Sequence, residues 1–135
     1  MGLSIDCITI GDSIATYQGL GGAMHCQVLA IKGLSSSLIV KEAEQSSSHD
    51  VCIISAGSND PLNIDLKGNL EAIRKNVKCK IVVWVKPANH RASAIVEAVA
   101  QEHDDKAVQV VPGLDHVHPK NYEKLGKQIL GELNV

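Results

Sequence analysis

The chain has 135 residues, of which 44% are hydrophobic and 21% charged, and its formal net charge at pH 7 is −2. This length predicts one domain, residues 1–135, large enough to bury a core of its own. The slight negative charge argues against a nucleic-acid partner and against binding to an anionic membrane surface, and no apolar run approaches the roughly 18 residues that span a membrane.

Five short apolar runs, nearly continuous in Val, Ile, Leu and Cys, alternate with segments of helical period. Such runs are typical of strands that are buried on both faces, as in a parallel sheet. We predict strands over residues 5–10, 27–31, 51–55, 80–85 and 107–111. Helices are predicted over 35–48, from an N-cap at Asp65 to about 75, around the apolar stripe 94–99 and along 122–133, whereas the glycines of 19–22 weaken any helix there.

The alternation of strands and helices indicates βαβ units, whose crossovers are right-handed in about 98% of cases. The chain is therefore predicted to be an α/β protein, a three-layer α/β/α sandwich around a five-stranded parallel sheet. Ligands of such sheets bind outside the carboxyl ends of the strands. The residues that follow each strand are thus the candidate site.

The N-terminus and the cysteines favour a cytoplasmic protein. Residues 1–6 contain no basic residue, unlike a secretory signal peptide, and Asp6 is not the Ser or Thr that N-myristoylation needs. The four cysteines form no CxxC pair; two of them lie in apolar runs and the other two directly precede one. We therefore expect buried free thiols rather than disulfides or a metal site; the four are Cys7, Cys26, Cys52 and Cys79.

A nucleophile, a base and an acid follow the first and last strands. Ser13 comes after the first strand, and Asp115 and His118 come after the last. A serine hydroxyl is a weak nucleophile, so it needs a base within hydrogen-bond reach and a partner that orients the base. Asp115 and His118, three residues apart, can share one turn, and Pro119 is expected in the first turn of the helix that follows.

Acyl transfer also needs donors for the oxyanion that forms during the reaction. The backbone N–H of Gly33 is accessible to a ligand because glycine has no side chain. Asn59 offers a side-chain amide, and the backbone N–H of Ser13, at a predicted helix start, is a third donor.

Four blocks in this order resemble those of the SGNH hydrolases, also called the GDSL family. The blocks are Gly11-Asp12-Ser13, Gly33, Gly57-Ser58-Asn59-Asp60 and Asp115-x-x-His118-Pro119, and residues 121–129 are similar to the final helix of the family. The resemblance implies a flavodoxin-like strand order 2-1-3-4-5, a Ser13–His118–Asp115 triad, and an oxyanion hole of Ser13, Gly33 and Asn59.

The sequence departs from the family pattern at three positions. The first block continues with Ile14 rather than Leu, Ser36 stands where a second glycine is common, and Ala30 stands where an Asn often precedes Gly33. The chain is also shorter than most members, with minimal loops. The site is therefore predicted to be open and shallow, without a lid.

Other histidines and glycines allow competing interpretations. His116 competes with His118 as the base, although the family spacing favours His118. A zinc site from His116, His118 and the cluster His103-Asp104-Asp105 has suitable ligand types, but that cluster is predicted far from the strand carboxyl ends. No GxxxxGK[ST] pattern accompanies the glycines of 19–22, so we expect no phosphate loop. We expect no metal and no cofactor, and His25, His49 and His103 at the surface.

The residues that flank these blocks have structural explanations beside functional ones. Asp12 is expected to hold its turn by hydrogen bonds and, as a neighbour of Ser13, is also a substrate-binding candidate. Asp60 is expected to anchor loop backbone. Asn89 and Arg91 follow the fourth strand and are substrate-binding candidates, because an Arg at the positive end of a helix favours an anionic partner.

These observations predict a serine hydrolase that cleaves carboxylic esters through an acyl-enzyme. The substrate is expected to be a small-molecule or acylated-polymer ester, which includes acetyl esters, thioesters and acylated polysaccharides. The alternative is a catalytically silent domain that uses the same cleft for binding or assembly. The sequence leaves the acyl group, the alcohol and the oligomeric state open.

Overall fold

A five-stranded parallel sheet forms the middle layer of the computed structural model, which describes residues 5–134. Its strands are β1 (Cys7–Gly11), β2 (Gln27–Ala30), β3 (His49–Ser55), β4 (Cys79–Lys86) and β5 (Lys106–Gln109). They lie in the order β2-β1-β3-β4-β5, and every neighbouring pair is parallel. This confirms the predicted fold and strand order, with strand ends that differ by one or two residues from the predicted ones.

In the described part of the chain, five α-helices cover the two faces of the sheet: α1 (Leu20–Met24), α2 (Ser36–Gln45), α3 (Leu66–Asn76), α4 (His90–Glu102) and α5 (Tyr122–Glu132). Apolar residues of α2, α3 and α4 share one buried cluster with Ile8, Ile54 and Trp84. Those of α1 and α5 share a second cluster with Ile53 and Val83. Successive strand residues therefore face opposite layers, which explains why the strands are apolar almost throughout.

The helix starts differ from two predictions. Asp65 occupies the N-cap position of α3, but its side chain makes no capping bond, since its backbone is not extended. Pro119 does not lie in the first turn of α5, which begins three residues later behind the N-cap Asn121. It instead forms an isolated antiparallel bridge with Pro112, because the chain doubles back between the two prolines before α5 begins.

The prediction of free thiols is wrong, because all four cysteines form disulfides. Cys7 bonds to Cys26, with their Cα atoms 4.9 Å apart, and Cys52 bonds to Cys79. Ile8 pairs with Gln27, so strand pairing brings the two preceding cysteines side by side. The spacing of the cysteines along the sequence does not indicate which of them lie side by side in the sheet.

The disulfides also remove the support that free thiols gave to a cytoplasmic location, since the cytoplasm keeps most thiols reduced. Residues 1–4, which form most of the N-terminal stretch used for the predictions about signal peptides and myristoylation, and residue 135 lie outside the described part of the chain. Within residues 5–134, no helix has the length and apolar character needed to span a membrane.

Candidate active site

The turn that carries Ser13 depends on a close approach of two backbones. Gly11 ends β1 with φ +140°, and a Cβ atom at this position would lie only 1.8 Å from the carbonyl oxygen of Ser55 in β3. The Asp12 N–H donates to that same carbonyl at 3.2 Å. Only glycine allows this packing, which turns the chain out of the sheet directly before Ser13.

Asp12 holds the turn from inside the protein. Its Oδ1 accepts hydrogen bonds from the Ile14 N–H at 3.1 Å and from the Ser55 hydroxyl at 2.8 Å. The 3-10 helix Ser13–Ala15 follows directly. Asp12 has no exposed surface, and its binding of substrate stays a prediction. Burial raises its pKa to about 6, against the lowering effect of the Ser55 and Ile14 hydrogen bonds.

A closed loop after β5 presents Asp115 and His118. The Gly113 N–H donates to the His118 carbonyl at 2.9 Å, and the Lys120 N–H donates to the Val111 carbonyl at 2.8 Å. These two bonds and the bridge between the prolines hold the ends of the loop together. The tip of the loop therefore projects beside the carboxyl end of the sheet as one turn.

Asp115 organises the tip of that loop. Its Oδ1 accepts the N–H groups of Val117 and His118, both at 2.9 Å. Its Oδ2 lies 2.6 Å from His118 Nδ1. The backbone bond from Val117, with the side-chain and backbone bonds from His118, lowers the pKa of Asp115 to about 2. The carboxylate is therefore ionised at neutral pH and fixes the imidazole.

The two loops meet in one hydrogen-bonded chain of side chains. Ser13 Oγ lies 2.7 Å from His118 Nε2, and His118 Nδ1 contacts Asp115. With Nδ1 protonated and donating to Asp115, Nε2 is free to accept the Ser13 proton. The chain runs through His118 and not through His116, which adopts a left-handed φ of +63°.

Each of the three predicted oxyanion donors has an N–H group that makes no hydrogen bond within the described residues. The backbone N–H groups of Ser13 and Gly33 donate to no other described residue. Gly33 has φ +85°, a conformation that favours glycine. Asn59 Nδ2 donates one hydrogen to the Leu34 carbonyl at 2.9 Å, which leaves its second hydrogen for a ligand and ties the two loops together.

Asp60 anchors these loops, in agreement with its predicted role. Its two oxygens accept the Ser36 N–H at 3.0 Å, the Ser36 hydroxyl at 2.6 Å and the Asn63 amide at 3.0 Å. Ser36, which replaces a glycine common in the family pattern, therefore has a partner of its own. The loop after β2 and the loop after β3 are held as one unit.

Two solved structures share this architecture. A GDSL-like lipase from Bacteroides thetaiotaomicron is 18% identical, with a TM-score of 0.67 over 96% of this chain and 89% of that one. A protein assigned as an acylhydrolase from Bacteroides fragilis is 16% identical, with a TM-score of 0.67 over 95% of this chain and 87% of that one. The chain has the fold of the GDSL-type hydrolases. No protein-family model and no curated protein matches its sequence.

An open cleft adjoins the histidine in this GDSL-type fold. Its volume is about 630 Å³, and it is lined by the loop from Pro112 to Lys120, including Leu114, Asp115 and His118. Leu114 is fully exposed there. Sequence reasoning missed Leu114 as a lining residue, although an apolar residue in a loop after a strand is the signal that could have found it.

Asn89 and Arg91 have structural partners in the GDSL-type fold. Asn89 Oδ1 caps α4 by accepting the Ala92 N–H at 3.0 Å. Arg91 Nη1 donates to the Pro61 carbonyl at 2.6 Å, which offsets its unfavourable place at the start of the helix. The structure does not bring either side chain into contact with Ser13 or His118, and their binding of substrate stays a prediction.

A second Ser–His–Asp chain lies at the amino end of the sheet. Ser47 Oγ is 2.9 Å from His49 Nε2, and His49 Nδ1 is 2.6 Å from Asp6 Oδ1. His49 is half-buried, with 11% of its side chain exposed. Sequence reasoning missed this chain because Asp6 reaches His49 through the pairing of β1 with β3.

The His103 cluster has no ligand arrangement for a metal. His103 Nε2 contacts Glu71 at 2.9 Å, whereas Asp105 accepts hydrogen bonds from Arg74 and Trp84. Within residues 5–134, no three His, Cys, Asp or Glu side chains converge on one point.

Proposed function

We propose that the chain is a serine hydrolase that cleaves carboxylic esters through an acyl-enzyme intermediate. The observation that carries this proposal is the continuous chain from Ser13 Oγ through His118 to Asp115, with distances of 2.7 and 2.6 Å. The likeness in fold to a GDSL-like lipase supports the same class of chemistry.

In the first step, Ser13 Oγ attacks the ester carbonyl while His118 Nε2 takes the hydroxyl proton. Asp115 holds the Nδ1–H and stabilises the imidazolium that forms. The tetrahedral intermediate collapses when His118 returns the proton to the departing alkoxide. Ser13 is then acylated and the alcohol leaves.

In the second step, His118 takes a proton from a water molecule that attacks the acyl-enzyme. The second tetrahedral intermediate releases the carboxylic acid, and the proton on His118 returns to Ser13 Oγ. In both steps the carbonyl oxygen becomes negative, and it is stabilised by the N–H groups of Ser13, Gly33 and Asn59. Such donors stabilise charge that develops in the transition state more than they stabilise the substrate.

The cleft favours esters that approach from an open surface. Its volume of about 630 Å³ and its lining on one side by a single loop suit a small acyl group or an acyl group displayed on a polymer. Acetyl esters, short acyl esters, thioesters and acylated polysaccharides all present a carbonyl that can reach Ser13.

Hydrolysis of a panel of p-nitrophenyl esters of increasing acyl length tests the proposal. We expect turnover by the wild type, loss of turnover in Ser13→Ala, and wild-type turnover in the matched control Ser47→Ala. Circular dichroism checks that both variants fold. A folded Ser13→Ala variant with wild-type turnover contradicts the mechanism. A wild type that hydrolyses no ester or thioester favours a silent binding domain instead.

A further inference from the structure

Three buried carboxyl oxygens without partners lie behind the Ser13 turn. They are Asp12 Oδ2 and both oxygens of Glu42, and none of them accepts a hydrogen bond from a described residue. Asp12 has no exposed surface and Glu42 is only 7% exposed. Glu42 belongs to α2, which packs against β1, and its carboxyl group interacts with the backbone of Gly11, the residue directly before Asp12.

Two ionised carboxyl groups at this place would be unfavourable. A buried charge needs a partner of opposite charge or several hydrogen bonds. Within residues 5–134, no Lys or Arg forms an ion pair with either carboxyl group. Asp12 keeps two well-formed hydrogen bonds on Oδ1, whereas Glu42 has only a weak interaction with the Gly11 backbone, so a proton is best held by Glu42.

The electrostatic interactions of Asp12 and Glu42 also favour a proton on Glu42 and a negative charge on Asp12. Burial, and then repulsion from Asp12, raise the pKa of Glu42 to about 8, against a lowering effect of the Gly11 backbone. Asp12 interacts favourably with His118, and the pKa of Tyr122 in α5 is raised first by burial and then by the charge on Asp12. A single negative charge therefore fits this region when it resides on Asp12.

We propose that Glu42 is a positioning residue for the Ser13 turn, which it supports in its protonated form by leaving Asp12 as the only charge behind Ser13. Loss of the Glu42 proton to solvent places two negative charges beside each other. Their repulsion then acts on Asp12, which holds Ile14 and Ser55, and so displaces the turn. The single charge on Asp12 also favours the imidazolium of His118 that forms during ester cleavage.

This inference rests on the proposed hydrolase activity for its catalytic consequence but not for the protonation of Glu42. The sign of the pH effect follows from the raised pKa. A carboxyl group that holds its proton more tightly in the folded state contributes stability at low pH, and this contribution is lost as pH rises from about 4.5 to about 8.

The test compares the wild type with Glu42→Gln, which is neutral at every pH, and with the matched control Glu44→Gln on the exposed side of the same helix. Melting temperatures are measured from pH 5 to 9. We expect the wild type and Glu44→Gln to lose stability with rising pH, and Glu42→Gln to lose less, so that its relative melting temperature rises across this range. Equal pH dependence in all three overturns the proposal.

The kcat of ester hydrolysis over the same pH range tests the positioning role. We expect kcat of the wild type and of Glu44→Gln to fall above pH 8 and kcat of Glu42→Gln to remain level. A kcat profile that Glu42→Gln leaves unchanged, alongside altered melting, overturns positioning and makes Glu42 only a buried acid. If the wild type hydrolyses no ester, the proposed function fails while the melting comparison still decides the protonation.

Infrared spectroscopy of the wild type covers the case in which Glu42→Gln does not fold. A protonated carboxyl group has a carbonyl band distinct from that of a carboxylate. We expect one buried carboxylic acid to persist at pH 7 and to ionise with a midpoint near pH 8. If no carboxylic acid band remains at pH 7, the proposal is wrong.

Discussion

Two hydrogen-bonded Ser–His–Asp chains lie at opposite ends of the sheet, one that begins at Ser13 and one that begins at Ser47. Their hydrogen-bond distances are similar. Both open onto a cleft, of about 630 Å³ at the Ser13 end and about 440 Å³ beside His49. The backbone around the two serines differs. Ser13 starts a short helix beside unbonded N–H groups, whereas Ser47 follows the carboxyl end of α2.

This difference indicates that the backbone around a serine determines its reactivity more than the hydrogen-bonded His and Asp side chains do. The carboxyl end of a helix presents carbonyl oxygens, and these disfavour a developing oxyanion. The start of a helix presents N–H groups, which favour it. Ser13 is also fixed by the buried Asp12, whereas Ser47 is exposed. We therefore expect catalysis at Ser13 alone.

Removal of each histidine is the change that separates the two ends most strongly. We expect His118→Ala to lower kcat by about 10⁴–10⁶-fold, because the loss of the base disables the nucleophile. His49→Ala removes the same side chain from the other end and is expected to leave kcat within about twofold. Steady-state hydrolysis of a p-nitrophenyl ester measures both. Equal losses of kcat in the two variants would contradict the expected difference between Ser13 and Ser47.

Removal of one oxyanion donor has a smaller expected effect on kcat than removal of the base. We expect Asn59→Ala to lower kcat by about 10²–10³-fold with little change in KM, since the donor acts mainly in the transition state. The variant also loses the bond to Leu34, so circular dichroism must confirm the fold. A rise in KM at constant kcat would instead make Asn59 a residue that binds the ground state.

The Cys7–Cys26 disulfide lies at the amino end of β1 and tests stability apart from catalysis. We expect Cys26→Ser to lower the free energy of unfolding by about 2–4 kcal/mol, because the cross-link restricts the unfolded chain. Well below the melting temperature, kcat should be unchanged. Urea denaturation with and without reductant measures the stability, and four thiols that titrate freely in the unreduced, denatured wild type would contradict the pairing.

The two aspartates give the smallest expected effect on stability and a sharp contrast in activity. Hydrogen bonds lower the pKa of Asp115, chiefly from the Val117 backbone, and that of Asp6, chiefly from His49. A lowered pKa contributes stability above the unfolded value of about 4 that is lost as pH falls. Asp115→Asn should weaken the dependence of melting temperature on pH between about 4 and 2, and Asp6→Asn should weaken it as pH falls below about 4.

Activity distinguishes the same two variants. We expect Asp115→Asn to lower kcat by about 10⁴-fold, because an amide in place of the carboxylate favours the wrong tautomer of His118. Asp6→Asn should retain wild-type kcat. A small loss in Asp115→Asn would show that the backbone of the loop, rather than the carboxylate, orients the imidazole.

Much of the fold and of the carboxyl-end site could be predicted from the sequence, since both depend on local patterns. Continuous apolar runs mark the buried strands, and Ser13, Asn59 and His118 each follow such a run. Contacts across the sheet leave no local pattern. The disulfides, the chain from Asp6 to His49 and the approach of Glu42 to Asp12 all depend on strand pairing and helix packing.

Pro119 shows a second reason for failure. Proline fits the first turn of a helix, but it also fits a backbone bridge in which its N–H is not needed. The sequence is compatible with both positions for Pro119, and the hydrogen bonds that close the loop from 111 to 120 favour the bridge. Asn89 and Arg91 are similar, because a residue at a helix start serves the helix as readily as a ligand.

Reaction with a fluorophosphonate followed by peptide mass spectrometry tests most directly whether Ser13 alone is an activated nucleophile. The probe phosphonylates a serine only where a base and oxyanion donors activate it. We expect one modified site per chain, at Ser13, which is lost in His118→Ala and retained in His49→Ala. Modification at Ser47, or an unmodified wild-type chain under conditions that label a known serine hydrolase, would contradict it.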